Sequence, residues 1–204
     1  MKRRGAITRG TTAAATAVAL AAAVAGCGGS EGDADAATGA YEVTADASFP
    51  AHQGLAQQST MKVNVRNRGD RTIPNVSVTL ETAGQGTQSA AFATVTDQPG
   101  VASRSRPAWI VDRGPVGGEI ASANTWSLGP LAPDRAATFQ WDVTSIRSGD
   151  YRLRWRVDPG FSSDATAVDA HGRPARGTVD VDVTSTPAQA RVVGDGRVER
   201  VPAR

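Results

Sequence analysis

An all-β fold, a single antiparallel sandwich of about seven to nine strands, is what the sequence predicts beyond residue 40. Three observations carry the prediction. Apolar residues recur with a period of two in one short run after another. Clusters of turn-forming residues separate the runs. No apolar stripe at helical spacing reaches a useful length.

The runs can be taken in chain order. Tyr41, Val43 and Ala45 alternate with Glu42, Thr44 and Asp46. Met61, Val63 and Val65 alternate with Lys62, Asn64 and Arg66. Val76, Val78 and Leu80 follow, then Phe139, Trp141 and Val143, then Tyr151, Leu153, Trp155 and Val157, and finally Val179, Val181 and Val183. Successive strand side chains point to opposite faces, so each run sets one face on a core and the other in water. Asn67-Arg68-Gly69-Asp70, Gly129-Pro130, Ala132-Pro133-Asp134, Ser148-Gly149-Asp150 and Asp158-Pro159-Gly160 supply the turns. Weaker strand candidates are Phe92 to Thr96, Ala108 to Val111 and Thr125 to Leu128. A β-barrel is the alternative, since strand count alone does not separate it from a sandwich. The segment from Tyr41 to Ser185, about 145 residues, is long enough for one domain with a core of its own.

Two stretches resemble a known module. STMKVNVRNRGDRTIPNVSVTLET contains Val65, Asn67 and Gly69 followed by Asn75, Val76 and Val78, and is similar to the core of bacterial immunoglobulin-like domains of the CARDB type. SLGPLAPDRAATFQWDV is similar to a second segment of that family, with Asp134 where glycine is usual. Gly149-Asp150-Tyr151-Arg152-Leu153 resembles the tyrosine corner of such sandwiches, whose phenol bonds to upstream backbone. The resemblance implies an immunoglobulin-like sandwich, with Leu153 at the position that is cysteine in antibody domains. It implies little about function, because one fold hosts many.

The first 26 residues read as an export signal. Lys2, Arg3, Arg4 and Arg9 form a basic stretch ahead of the alanine-rich TTAAATAVALAAAVAG, which is shorter than the roughly twenty residues a membrane-spanning helix needs. Val24-Ala25-Gly26-Cys27 resembles the lipobox of bacterial lipoproteins, which implies cleavage before Cys27 and lipidation of its thiol. Residues 27–40, small and acidic, read as a flexible tether, 41–185 as the sandwich, and 186–204 as a tail that is mobile or docks as a short hairpin. The expected location is the extracytoplasmic face of the cell membrane, with lipid as the anchor.

Composition narrows the function. Removing the four basic residues upstream of Cys27 turns the formal charge from +2 to −2, so the high isoelectric point is no sign of nucleic-acid binding. Cys27 is the sole cysteine, which leaves the domain without a disulfide and dependent on its core. His52 and His171 are the only histidines, no G-x-S-x-G elbow is present, and both imidazoles read as surface groups. Asp180 and Asp182 stand on the outward face of a strand, where solubility and edge protection account for them. No catalytic residue, metal site or cofactor is therefore expected.

The segment QPGVASRSRPAWIVDRGPVGGEIASANTW is long for a connection in a compact domain, and such loops often carry function. It brings Arg104, Arg106 and Arg113 around Trp109, a set suited to an acidic sugar, an anionic polymer or an acidic protein face. The plainer reading makes Ala108 to Val111 another strand, with Trp109 in the core and the arginines solvated. The expected function is a non-enzymatic binding or adhesion module presented to a cell-envelope protein or polysaccharide. The alternative is a structural or accessory subunit of a membrane protein complex.

Overall fold

The alternation is realised as strands and no α-helix in the computed structural model, which describes residues 37–83, 89–93, 107–122, 124–161, 164–187 and 189–201. In chain order the strands are β1 (Gly39–Ser48), β2 (His52–Leu55), β3 (Gln58–Asn67), β4 (Ser77–Thr82), β5 (Ser89–Ala90), β6 (Phe92–Ala93), β7 (Trp109–Arg113) and β8 (Glu119–Ser122). They continue with β9 (Thr125–Ser127), β10 (Ala136–Ser145), β11 (Gly149–Asp158), β12 (Ala165–Val168), β13 (Arg176–Pro187), β14 (Gln189–Val192) and β15 (Val198–Val201). One sheet runs β12-β1-β3-β10-β7-β6; the facing sheet runs β2-β13-β11-β4-β9-β8, with β5 also on β4. β14 and β15 form a separate hairpin closed around Gly194-Asp195-Gly196.

The long central pairings are antiparallel, as expected, but three edge pairings are parallel: β1 with β12, β2 with β13, and β6 with β7. Two of them follow from the chain changing sheets. β1 pairs with β3 in the first sheet, and after Phe49–Ala51 the chain joins the second sheet as β2, beside β13. The link from β11 to β13 likewise leaves its sheet, adds β12 to the edge of the first, and returns. The domain also starts earlier than the composition implies, because Ala37 is buried and β1 begins at Gly39.

The core is aromatic. Trp109, Trp126, Trp141, Phe92 and Phe139 are buried together with Met61, Leu80, Leu153 and the inward valines of β1, β3, β4 and β11. Ring centroids lie 5.0 Å apart for Trp109 and Tyr151, 5.3 Å for Trp126 and Trp141, and 5.5 Å for Phe49 and Trp109, all edge to face. Each such pair adds roughly 0.5–1.5 kcal/mol to its area burial. This network fills the middle of the sandwich, where Leu153 is also fully buried.

Two local devices fix the strand ends. Asn67, completely buried, donates from its side-chain amide to the carbonyls of Arg71 and Leu131 at 2.8 and 2.9 Å and accepts from the Gly69 N–H at 3.0 Å. It thereby ties the end of β3 to the loop before β10. In that loop Asp134 takes a left-handed φ of 56° and donates its N–H to the Asn67 carbonyl, so aspartate adopts the conformation for which glycine is usual. The guanidiniums of Arg66 and Arg68 lie 3.5 and 3.6 Å from its carboxylate. At the other end, the Tyr151 hydroxyl donates to the Ser148 carbonyl at 3.1 Å and lies 3.4 Å from that of Arg147, a tyrosine corner.

The turn between β12 and β13 is held by Asp169. The Arg173 guanidinium, with its Nε 2.8 Å from Asp169 Oδ2, and the N–H groups of Arg173 and His171 hold this carboxyl at about 2, below its ordinary 3.8. A depressed carboxylate stabilises fully above its ordinary value and progressively less as pH falls toward its folded value. The turn is therefore expected to loosen between pH 3.8 and about 2. The amide resonances of His171 and Arg173 would report this, and Asp169→Asn should abolish the acid step.

Candidate functional site

Of the expected partner-binding residues, Arg104 and Arg106 lie outside the described residues, as does Cys27. Trp109 is not available to a partner. It is completely buried on β7, its indole N–H donates to Gln53 Oε1 at 2.8 Å, and its ring packs on Phe49, Phe92 and Tyr151. Position 109 faces inward because β7 pairs with β10, placing Trp109 opposite the buried Ser145. Gln53, also buried, is held by a bond from its amide to the Pro50 carbonyl. Trp109 is therefore a core residue and not a partner contact. Arg113, at the end of the same strand, is exposed. His52 is exposed, with Nδ1 3.8 Å from Asp182, and His171 sits in an exposed turn.

A different constellation, not singled out from the sequence, lies on the outer face of β4, β11 and β13. Tyr151, Leu153, Trp155 and Val157 point inward, which turns Arg152, Arg154 and Arg156 outward in a line along β11. The ladder sets Arg154 between Glu81 and Thr178, and Arg156 between Thr79 and Arg176. These residues, with Trp155 and Gly177 between the two rows, line a cleft of about 450 Å³.

The four cations are not equivalent. Arg152 forms a two-pronged pair with Asp180, Nε to Oδ1 at 2.6 Å and the second nitrogen to Oδ2 at 3.1 Å. That bond lowers the Asp180 carboxyl and raises the Arg152 guanidinium. Arg156 is paired with Asp158 at 2.8 Å. Arg154 and Arg176 are exposed, and neither has an ion-pair or hydrogen-bond partner among the described residues. Glu81 stands across the ladder from Arg154 without closing a pair.

Gly177 shapes this region. A Cβ there would come within 2.7, 2.8 and 2.9 Å of three atoms of the Trp155 indole. Its backbone is not in the left-handed region, so the constraint is purely steric. Gly177→Ala is expected to cost about 2 kcal/mol by forcing the ring off its position, less a few tenths recovered from the unfolded chain. A urea titration followed by tryptophan fluorescence would measure it.

The neighbouring edge is open. Val157 donates its N–H to the Ala175 carbonyl, whereas Asp182 donates its N–H away from β11, to the Ala51 carbonyl. Antiparallel ladders alternate, so the backbones of Arg176, Thr178 and Asp180 also point away from β11. β2 begins its pairing only at Asp182, leaving those three rungs without a strand partner among the described residues. No group of three or more His, Cys, Asp or Glu is placed to hold a metal ion among the described residues.

No protein-family model and no curated protein matches the chain. Among solved structures, the chain is similar to a CARDB domain from Pyrococcus furiosus, crystallised in complex with di-metal ions. The two share 17% identity over 71% of this chain and 89% of that one, with a TM-score of 0.44. A cohesin module from a Clostridium perfringens family 33 glycoside hydrolase gives 8% identity, 71% and 98% coverage and a TM-score of 0.44. Escherichia coli alpha-2-macroglobulin, from domain MG7 to the C-terminus, gives 14%, 77% and 21%, and 0.42. The fold is an all-β immunoglobulin-like sandwich, as the strand order, the change of sheet between β1 and β2 and the tyrosine corner define it.

Proposed function

We propose that the protein is a non-enzymatic immunoglobulin-like binding module, held on the extracytoplasmic face of the cell membrane by lipid on Cys27, that presents the outer face of β4, β11 and β13 to a cell-envelope partner. The observation that carries the reading is the cleft with two unpaired guanidiniums held on strands, Arg154 on β11 and Arg176 on β13 beside it. Such strands hold binding groups more precisely than loops do.

The test is a photo-crosslinking amino acid placed at Thr178, on this face, and at Thr138, on the exposed side of β10, in intact cells. Adducts from Thr178 and none from Thr138 are expected; equal yields from both positions would overturn the assignment of the face. Cys27→Ala should release the protein from the membrane or leave it unprocessed, with the sandwich still folded.

The open edge at Arg176, Thr178 and Asp180 favours a second reading, an accessory subunit that docks by strand addition. In that case the Thr178 adduct would be a single membrane protein in stoichiometric yield.

A further inference from the structure

We infer that the cleft between Arg154 and Arg176 is a subsite for one oxyanion, carboxylate or phosphate, carried on a repeating sugar or polyol polymer. The inference rests on the binding-module reading and names the chemistry of its ligand.

Arg152 and Arg156 are each closed onto a carboxylate and bring little free charge, and of the two only Arg156 lines the cleft. Arg154 and Arg176 are diagonal neighbours across the β11–β13 ladder, since Arg154 pairs with Thr178 and Arg156 with Arg176. Diagonal positions lie roughly 7–8 Å apart at their Cβ atoms, a span that two guanidiniums converging on one oxyanion can close. Guanidinium is the cation suited to this, because its fork of donors matches the geometry of carboxylate and phosphate.

The surroundings select among anionic partners. A stable protein partner needs an apolar centre about which a polar rim closes. The large exposed apolar side chains of the described residues, Val116, Ile120, Ile146, Phe161, Val192 and Val198, all lie off this face. A lipid surface would reward a flat field of cations, whereas here two free cations flank a recess of about 450 Å³. That recess admits a single sugar-sized unit, with the Thr178 hydroxyl beside the guanidiniums to meet a ring hydroxyl. Glu81 at the rim opposes a second oxyanion in the same recess, so the site takes one anionic group at a time.

The experiment uses the protein with its natural Cys27, in detergent, titrated with three probes: oligogalacturonate, poly(glycerol phosphate) and neutral dextran. Amide shifts of Gly177 and Thr178 are followed by NMR. Saturable shifts with one or both anionic probes and none with dextran are expected, and which probe works tells carboxylate from phosphate. Arg154→Gln with Arg176→Gln should weaken the interaction at least about tenfold, as befits loss of charge-assisted bonds. Arg152→Gln, whose partner is Asp180, should change it less than about twofold. The inference fails if neither anionic probe gives a saturable shift, if dextran does equally well, or if the double variant binds normally. Should the Thr178 crosslink nevertheless form in cells, the binding face stands and only the ligand chemistry is wrong.

Discussion

Trp109→Ala is expected to destabilise the sandwich by about 4 kcal/mol, within the 3–5 kcal/mol range of large aromatic truncations. Two costs add. The ring contacts of Phe49, Phe92 and Tyr151 lose their common partner, and a cavity opens where relaxation is hindered by sheets on both sides. In addition the Gln53 carbonyl oxygen, buried and bonded to the indole N–H, loses its donor. Trp109→Phe should retain most of the packing and lose only the hydrogen bond, so its cost should be less than half. Urea midpoints of the two variants check both statements. A Trp109→Ala protein as stable as the parent would mean that residue 109 is not in the core.

Asn67→Ala carries the second large effect, about 2 kcal/mol. The side-chain amide serves three main-chain groups at once, the carbonyls of Arg71 and Leu131 and the N–H of Gly69. Alanine leaves the Arg71 carbonyl without its donor and weakens the ties at Leu131 and Gly69, which keep only their bonds with the Ile73 N–H and the Glu42 carbonyl; a polar group that loses its partner costs about 1–3 kcal/mol unless water enters. Asn67→Asp should be as damaging, because a carboxylate would face two carbonyl oxygens. Thermal unfolding measures the loss, and hydrogen exchange at Leu131 and Gly69 should rise first, near the severed ties.

The sandwich was legible because its long strands obey the simplest rule of sheet structure. Val63, Val65, Phe139, Trp141, Leu153 and Val157 alternate with polar residues, and all are buried. The short edge strands obey no such rule. In β2 the buried pair is Gln53-Gly54, a pattern set by the change of sheet and by the bond to Trp109, neither of which is local. Trp109 stood between the core and the partner-binding readings for a related reason. Arginines and a proline flank it in a long connection, and only the pairing of β7 with β10 shows which way it faces.

The candidate site divides the same way. Arg152, Arg154 and Arg156 were readable as an outward row as soon as Tyr151, Leu153 and Trp155 were taken as inward. Arg176 was not, because its place beside Arg156 depends on the register of β13 against β11. Nor does a sequence show which arginines are neutralised. That depends on Asp158 and Asp180 arriving at 2.8 and 2.6 Å from their partners.

The change of sheet at Phe49–Ala51 also has a mechanical meaning. A pull on the chain upstream of Gly39, resisted downstream of Pro187, drives β2 and β13 in opposite directions along their common axis. Because the two strands are parallel, the rungs from His52 opposite Asp182 to Gly54 opposite Thr184 are loaded together in shear and do not open one at a time. β1 meets the same pull along its six paired positions with β3. β2 and β13 are thus joined in the geometry that bears tension.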